Sequence, residues 1–319
     1  MLELFGWVAL FIFSLAVLVK SSDIFTDAAE NIGIYLGFPK FVVGVTIVSI
    51  GTSLPELLSS IFAVIDNSSE IILGNVVGSN IANIFLVLGT AAVISKKLSI
   101  TYDLINVDLP LFLGTGFFLG LSVWDLHFST GEAILCLLAY VIYMFYTISI
   151  AQQDEQIQPL YIEQNQLGQQ KVPVKDLVIL VVSSIALCLG AKYTIYSVVQ
   201  ISEILNIGVE IIAVTAVALG TSLPELIVTI AMSRKGNPEM AIGNILGSNI
   251  FNTFVVMGVP GLMGNLIIPE TILREGLPLM LVGTILFVFA TQDKQVTKWE
   301  GLLFFIFYGW FIGKMFQFI

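Results

Sequence analysis

One segment of this chain occurs twice. The run Gly-Thr-Ser-Leu-Pro-Glu-Leu occupies residues 51–57 and again residues 220–226. A second shared segment, Gly-Asn-x-x-Gly-Ser-Asn-Ile-x-Asn, occupies residues 74–83 and again residues 243–252. Both pairs are offset by the same 169 residues. The chain therefore contains a duplication in register, and its fold must accommodate two equivalent halves.

The composition places both copies in a membrane. Of the 319 residues, 57% are hydrophobic and 11% are charged, whereas a soluble domain contains roughly 25% charged residues. We therefore predict an all-α polytopic membrane protein in the cell (inner) membrane. The net charge of −10 is spread through the loops and gives no reason to expect nucleic-acid binding.

A helix needs about 20 apolar residues to cross the hydrocarbon core. By that rule we predict ten spans, at residues 4–19, 38–65, 70–94, 105–123, 131–150, 175–191, 208–233, 238–263, 276–291 and 299–318. Residues 21–37 mix acidic with apolar side chains, and they either extend the first span or lie along the interface. Residues 151–174 are polar and predict a linker between a first five-helix repeat (1–150) and a second one (175–319).

The span count and the basic residues predict the topology. Five spans per half make the second repeat enter the membrane from the opposite side, so the repeats are expected to be inverted. With the N-terminus outside, ten Lys and Arg residues fall on the cytoplasmic side and three outside, Lys192, Arg274 and Lys314. This agrees with the positive-inside rule. We therefore expect both termini outside and the linker in the cytoplasm.

Two acidic residues fall deep within spans, at equivalent positions: Glu56 and Glu225. An ionisable group in mid-membrane costs roughly 2.5–3.5 kcal/mol even on a lenient scale, and it usually marks an ion or substrate path. A proline precedes each glutamate and leaves the carbonyl four residues earlier without its helical donor. Such broken backbone must line a cavity or be buried in protein. Asp103, Asp108 and Glu132 lie near span ends, where we expect them to be solvated.

Polar side chains at helical spacing accompany each glutamate. Hydroxyl groups three and four residues before it can share its helix face, and an Asn-Ser-Asn stripe at i, i+4 and i+8 runs along the second segment. These residues are Thr52, Ser53, Asn75, Ser79 and Asn83 in one copy and Thr221, Ser222, Asn244, Ser248 and Asn252 in the other. Asn80 and Asn249 fall off the stripe, and we expect them to bond between helices. The motif glycines predict close helix packing.

Four such helices meeting at the midplane would form a cage of carboxylate, amide, hydroxyl and carbonyl oxygens. Ca²⁺ takes six to eight oxygen ligands, and two carboxylates balance one Ca²⁺ or about two monovalent cations. Inverted repeats with broken helices are typical of alternating-access transporters. A passive cation channel is the competing class. An enzyme is not expected, because the sequence has one histidine and no Ser–His or Ser–Lys pair at matched depth.

At these residues the sequence resembles the cation/Ca²⁺ antiporter superfamily, and specifically its prokaryotic Na⁺/Ca²⁺ exchanger branch, over nearly the whole chain. The resemblance implies an ion core formed by spans 2, 3, 7 and 8, with helices 1 and 6 sliding across it. It implies that Ca²⁺ is bound by the carboxylates of Glu56 and Glu225 and the backbone carbonyls of Thr52 and Thr221. It also implies Na⁺ sites that share the glutamates and add Ser53, Ser79, Ser222, Ser248, Asn83, Asn252 and the backbone oxygens of Ser49 and Ala218.

The sequence departs from the superfamily pattern at one point. Some members have an aspartate at one of the positions that match Asn83 and Asn252, and both are asparagine here. We expect a secondary antiporter that exchanges Ca²⁺ for Na⁺ at one shared site, and the alternative is an antiporter of H⁺ and Ca²⁺ or another divalent cation. The expected partners are these ions as substrates and the lipid bilayer, with a monomer as the expected state and no cofactor.

Overall fold

A computed structural model describes residues 2–65, 67, 69–95, 97–100, 102, 107–153, 172–204 and 222–315. These residues form helices with two short β ladders. The helices are α1 (Leu2–Leu36), α2 (Lys40–Thr52), α3 (Leu54–Ile65), α4 (Glu70–Ser95), α5 (Asp108–Ser122), α6 (Thr130–Gln153), α7 (Val174–Ile204), α8 (Leu223–Arg234), α9 (Pro238–Met263), α10 (Ile272–Thr291) and α11 (Lys298–Met315). The strands are β1 (Lys97–Ser99), β2 (His127–Phe128), β3 (Leu266–Ile267) and β4 (Gln295–Thr297).

The described helices support a polytopic membrane protein. Six are long and apolar enough to cross a membrane, and there are seven if α2 and α3, which meet at a 41° bend, form one span. Helix α5 is apolar but has 15 residues, and most of the predicted span 208–233 lies outside the described residues. The count of ten spans therefore stays a prediction.

Helix α1 settles the alternative left open for residues 21–37. It is one α-helix of 35 residues, so the acidic segment extends the first span. Helix α7, at 31 residues, also runs well beyond the predicted span 175–191. The two long helices pack against each other, and a Cβ at Gly190 would lie 3.0 Å from the backbone of Leu18. The Thr194 hydroxyl donates to Ser14 Oγ at 3.0 Å.

Polar contacts hold the acidic end of α1 against neighbouring elements of the helical bundle. The Glu30 carboxylate lies 3.0 Å from Lys40 Nζ and accepts a hydrogen bond from Asn237 Nδ2 at 2.9 Å. Lys235 Nζ lies 2.6 Å from Asp27 Oδ1. Both basic residues belong to other elements, at the start of α2 and between α8 and α9. The acidic residues therefore tie α1 to the core.

The centre of the bundle is formed by α4 and α9. In their most apolar windows 72% and 89% of the residues are buried, against 17% for α1. Helix α2 crosses α9 at glycines: a Cβ at Gly44 would overlap the backbone of Met240, and one at Gly247 would lie 2.5 Å from the carbonyl oxygen of Val45. The motif glycine Gly247 therefore packs helices closely, as the sequence predicts.

Three of these core helices contain a π-helical turn. It spans Gly44–Val48 in α2, Asn83–Val87 in α4 and Asn252–Val256 in α9. The last two begin at the final asparagine of each repeated motif. Single π turns inside α-helices are frequent at functional sites. Nothing in the sequence pattern predicts them.

The ladders connect the two halves of the chain. Strand β1 pairs antiparallel with β4, and β2 pairs antiparallel with β3. The repeat offset of 169 residues relates β1 to β3 and β2 to β4, so these strands are equivalent in the two copies. Each strand therefore pairs with a strand of the opposite half.

One expectation about acidic residues is wrong. Asp108 is 1% exposed and accepts a hydrogen bond from the Tyr143 hydroxyl at 3.2 Å. It is the first residue of α5, and α6 covers it with a tyrosine that the linear sequence does not place beside it. Glu132 accepts a hydrogen bond from the backbone N–H of Ser129 at 2.7 Å. Asp103 lies outside the described residues.

Candidate ion-binding site

The two glutamates lie in the first turn of short helices, and the first of these helices, α3, follows the bend after α2. Glu56 is the third residue of α3, and Glu225 is the third residue of α8. Pro55 and Pro224 precede them, as expected for the first turn of a helix, where a missing N–H costs nothing. The residue before each helix has nearly the same backbone, with φ −89° and ψ 8° at Ser53 and φ −86° and ψ 6° at Ser222.

Both carboxylates are completely buried, with 0% exposure, and they are close enough to repel each other. The partial positive charge of a helix N-terminus stabilises a nearby anion, so α3 and α8 favour a negative charge at each position. The described ion pairs include neither glutamate. When both are ionised, these carboxylates concentrate negative charge that no basic side chain of the described residues pairs with.

One hydrogen bond connects the two repeats at the carboxylates. Ser53 Oγ, from the first copy, donates to Glu225 Oε1 at 2.9 Å. The other oxygen of Glu225 and both oxygens of Glu56 have no hydrogen bond of good geometry among the described residues. The Ser79 hydroxyl on α4 also lies near the Glu56 carboxylate. Buried acceptors without donors are costly, and a cation is the partner that suits them.

Thr52, at the end of α2, joins that helix to α9. Its hydroxyl donates to Asn244 Oδ1 at 3.2 Å and lies 3.5 Å from Ser248 Oγ. It also contacts the carbonyl oxygen of Ser49 at 3.3 Å. Asn244 in turn donates to Thr229 Oγ1 at 3.1 Å. The predicted ligands Thr52 and Ser248 are therefore brought together beside the break.

Asn75 binds the helix that holds Glu56. Its amide donates to Ser60 Oγ at 3.2 Å and to Ser59 Oγ at 3.1 Å, and it approaches the carbonyl oxygen of Glu56 at 3.4 Å. The bond to Ser60 is the counterpart of the bond from Asn244 to Thr229, because both partners are related by the repeat offset. These two asparagines therefore fix the glutamate helices against α4 and α9.

The last asparagines of the motifs are buried at the start of their π turns. Both amide atoms of Asn83 and the Oδ1 of Asn252 have no hydrogen-bond partner among the described residues. Asn252 Nδ2 donates to Asn80 Oδ1 at 3.2 Å. Two buried amide oxygens are thus free to face a cation.

The expectation that the remaining asparagines bond between helices is confirmed for one of them. Asn80 Nδ2 donates across the interface to Thr253 Oγ1 at 3.1 Å. The Asn249 side chain instead donates to the carbonyl oxygen of Ile245 in its own helix at 2.7 Å. Sequence equivalence therefore does not give equal bonding.

The structure describes one of the three remaining predicted ligands of the second copy. Thr221 and Ala218 lie outside the described residues. Ser222 is buried, and its hydroxyl has no partner within the described part of the chain. Over those same residues, no group of three or more His, Cys, Asp or Glu side chains is placed to hold a metal. The available ligands are therefore two carboxylates with hydroxyl, amide and carbonyl oxygens.

The long helices border the site at residues that the sequence analysis misses. A Cβ at Gly51 would overlap the ring of Phe25 on α1 and would lie 3.5 Å from Ser184 Oγ on α7. Cys188 on α7 lies within the electrostatic reach of both glutamates. These residues lie outside the repeated motifs, so the sequence has no signal for them.

Comparisons with known proteins agree on one family. The family model described as "Sodium/calcium exchanger protein" matches residues 6–149 and 175–316. The chain is 34% identical to the sodium/calcium exchanger MaX1 of Methanosarcina acetivorans, with 95% of this chain and 96% of that protein covered. It is 32% identical to the uncharacterized membrane protein MJ0091 of Methanocaldococcus jannaschii, with 94% and 95% covered.

A solved structure also matches the fold. It is the sodium-calcium exchanger NCX_Mj soaked with zero Na⁺ and Ca²⁺. The TM-score is 0.81 at 29% sequence identity, and the match covers 99% of this chain and 100% of the other.

Proposed function

The chain belongs to the sodium/calcium exchanger protein family, and we propose that it is a secondary antiporter that exports Ca²⁺ against an inward flow of Na⁺. The family and the structural likeness both support exchange of these two ions, which are substrates and not cofactors. They do not favour the proton-coupled alternative, because the family is described by sodium and calcium.

The observation that carries this proposal is the pair of buried, unneutralised carboxylates, one from each copy of the motif. Glu56 and Glu225 are 0% exposed and repel each other, and Ser53 of the first copy bonds Glu225 of the second. Removing two like charges from water is unfavourable unless a counter-charge accompanies them. One Ca²⁺ or about two Na⁺ ions supply that counter-charge with all-oxygen coordination.

The proposed ligand set is the one that the resemblance to the exchanger branch implies. In our proposal Ca²⁺ binds the carboxylates of Glu56 and Glu225 and the backbone carbonyls of Thr52 and Thr221. Na⁺ binds at sites that share the glutamates and use further oxygens, those of Ser53, Ser79, Ser222, Ser248, Asn83, Asn252 and the backbone of Ser49 and Ala218. The Oδ1 atoms of Asn83 and Asn252, which have no hydrogen-bond partner among the described residues, support the inclusion of both asparagines.

We propose inverted repeats of five helices each, with residues 1–150 and 175–319 as the repeats and residues 151–174 as a cytoplasmic linker. The exchanged pairing of β1 with β4 and of β2 with β3 supports a two-fold relation between the halves. In a ten-span protein both termini would then lie outside. Helices α1 and α7, which pack along each other and border the site, are the elements that would slide to alternate access.

Coupling follows from competition. Since Na⁺ and Ca²⁺ share the two glutamates, each ion displaces the other. The site therefore cannot hold Ca²⁺ and its Na⁺ ions at the same time. Without a bound cation, two buried negative charges would make the change of access from one side of the membrane to the other unfavourable. The protein would therefore change access only when loaded, and this makes the transport an exchange.

The test is uptake of ⁴⁵Ca²⁺ into proteoliposomes preloaded with Na⁺, K⁺ or choline, at a fixed pH gradient and then at varied ones. We expect uptake from Na⁺-loaded vesicles and background counts from choline-loaded vesicles. Uptake that follows the pH gradient and ignores Na⁺ would contradict Na⁺ coupling and would support the H⁺/Ca²⁺ alternative. A unitary conductance in planar bilayers would contradict antiport and indicate a channel.

A further inference from the structure

A groove lies between the start of α10 and the end of α11, away from the residues of the ion site. Its volume is about 320 Å³. The two helices run antiparallel at this point, because the first turns of α10 face the last turns of α11. The groove therefore opens at one side of the membrane.

The floor of the groove is apolar and faces outward. Val282 and Trp310 line it and are 45% and 48% exposed, and Phe311 lines it as a buried residue. Exposed apolar side chains on a membrane-spanning bundle contact lipid. Tryptophan favours the boundary between hydrocarbon and headgroups, because its ring is apolar and its N–H can still find a polar partner.

The rim of the groove is charged on both helices. Glu275 lies about two turns before Val282 on α10, and Lys314 lies about one turn after Trp310 and Phe311 on α11. Arg274 also lines the rim, but its guanidinium is paired with Glu270. Glu275 and Lys314 have no ion-pair partner among the described residues, and they are not paired with each other. A gap therefore separates two available charges of opposite sign.

We propose that this groove binds one membrane phospholipid with an amino headgroup, of the phosphatidylethanolamine type. Lys314 would bind the phosphate, Glu275 would accept a hydrogen bond from the primary ammonium, and an acyl chain would lie over Val282, Trp310 and Phe311. The phosphate and ammonium of one headgroup satisfy both charges. An anionic headgroup would leave Glu275 uncompensated, and a choline headgroup has no N–H to donate to it.

The test uses the full chain in nanodiscs that contain equal amounts of phosphatidylethanolamine, phosphatidylglycerol and phosphatidylcholine, with native mass spectrometry of the lipids that remain bound after release. We expect phosphatidylethanolamine to be enriched about fivefold, a value at the upper end for exposed charge pairs. Lys314→Gln and Glu275→Gln should each reduce that enrichment towards the bulk ratio. Lys298→Gln is the matched control, since Lys298 lies at the opposite end of α11 beside Trp299, with its Nζ 4.7 Å from the ring centroid.

A second variant tests the apolar part. Val282→Trp fills the groove and should displace bound lipid of every headgroup, whereas the charge variants should change only the headgroup preference. Equal enrichment in Lys314→Gln and Lys298→Gln, enrichment of phosphatidylglycerol, or a bound mixture that matches the bulk would each overturn the proposal. Because the readout requires no transport, its failure leaves the exchange function untouched.

Discussion

The two copies of the glutamate motif have the same sequence, and the residue before each glutamate helix has nearly the same backbone, yet the carboxylates differ in bonding. Glu225 accepts a hydrogen bond from Ser53 at 2.9 Å. The equivalent serine for Glu56 is Ser222, and its hydroxyl is buried without a partner in the described part of the chain. The duplication supplies equal chemistry, and the packing of the halves makes it unequal. The inverted-repeat antiporter that we propose would need such a difference, because one repeat would move against the other when access alternates.

One bond that supports the carboxylates from behind is, in contrast, present in both copies. Asn75 bonds Ser60 at 3.2 Å, and Asn244 bonds Thr229 at 3.1 Å. Each bond holds the glutamate helix against the neighbouring motif helix. This bond is therefore shared by the two copies, while the bonds to the carboxylates differ.

The largest effect on transport is expected from the two glutamates, because both copies of the motif should be needed for exchange. Glu56→Gln and Glu225→Gln should each reduce exchange at least about 100-fold, because removing one of two buried charges costs about 3 kcal/mol or more. Initial rates of Na⁺-driven ⁴⁵Ca²⁺ uptake measure this. Glu70→Gln is the control, since Glu70 is an exposed acid at the start of α4. Full flux in either site variant would disprove the shared site.

The motif glycines offer the next contrast. A Cβ at Gly243 would overlap the carbonyl oxygen of Phe41, whereas one at Gly74 would meet Ile272 at an ordinary 3.8 Å. We expect Gly243→Ala to destabilise the fold by about 1–3 kcal/mol, the range for overpacking, and Gly74→Ala to be nearly neutral. Thermal unfolding in detergent compares them, with Gly6→Ala on α1 as a control. Equal melting temperatures for the two motif variants would show that both helices pack alike.

Replacing the two serines tests the carboxylate asymmetry directly. Ser53→Ala removes the donor of Glu225 and a proposed Na⁺ ligand, so it should weaken apparent Na⁺ affinity about tenfold, since a hydrogen bond to a charged group contributes about 1.5–3 kcal/mol. Ser222→Ala removes a hydroxyl without a described partner and should change it less. Competition curves of Ca²⁺ against Na⁺ give both values. Equal changes of affinity in the two variants would show that the hydrogen bond from Ser53 to Glu225 does not contribute to ion binding.

The smallest expected contrast is between the off-stripe asparagines. Asn80→Ala breaks bonds to Thr253 and Asn252 on another helix, so it should cost about 1 kcal/mol, within the range for hydrogen bonds between membrane helices. Asn249→Ala loses a bond to its own helix and should cost about half as much. Melting temperatures measured with and without Ca²⁺ separate a packing effect from a ligand effect. A larger loss for Asn249→Ala would reverse our assignment.

Much of the fold follows from local signals. The predicted span 238–263 coincides with Pro238–Met263, because a proline opens the helix and a glycine follows its last residue. The break before Glu56 follows from Pro55. The extension of α1 to Leu36 needed partners on other elements, Lys40 and Lys235, which no local pattern places beside the acidic residues.

The site is only partly predictable for the same reason. The residue types around each glutamate are visible as two matched motifs. Identical motifs cannot reveal that Ser53 bonds Glu225 while Ser222 bonds nothing described. The π turns at Asn83 and Asn252 and the burial of Asp108 under Tyr143 also depend on tertiary packing, so sequence spacing gives no warning of them.

The pairing of each strand with a strand of the other half suggests how a duplicated chain of this kind could arise. Within the described residues, β1 and β2 each find their partner in the other half, so an isolated half would leave two strand edges unpaired. Two copies of one half that met about a two-fold axis would close both ladders at once. Gene fusion would then add a tether to an assembly that already existed. Residues 1–150 and 175–319, produced as separate polypeptides, should accordingly find each other and rebuild the bundle.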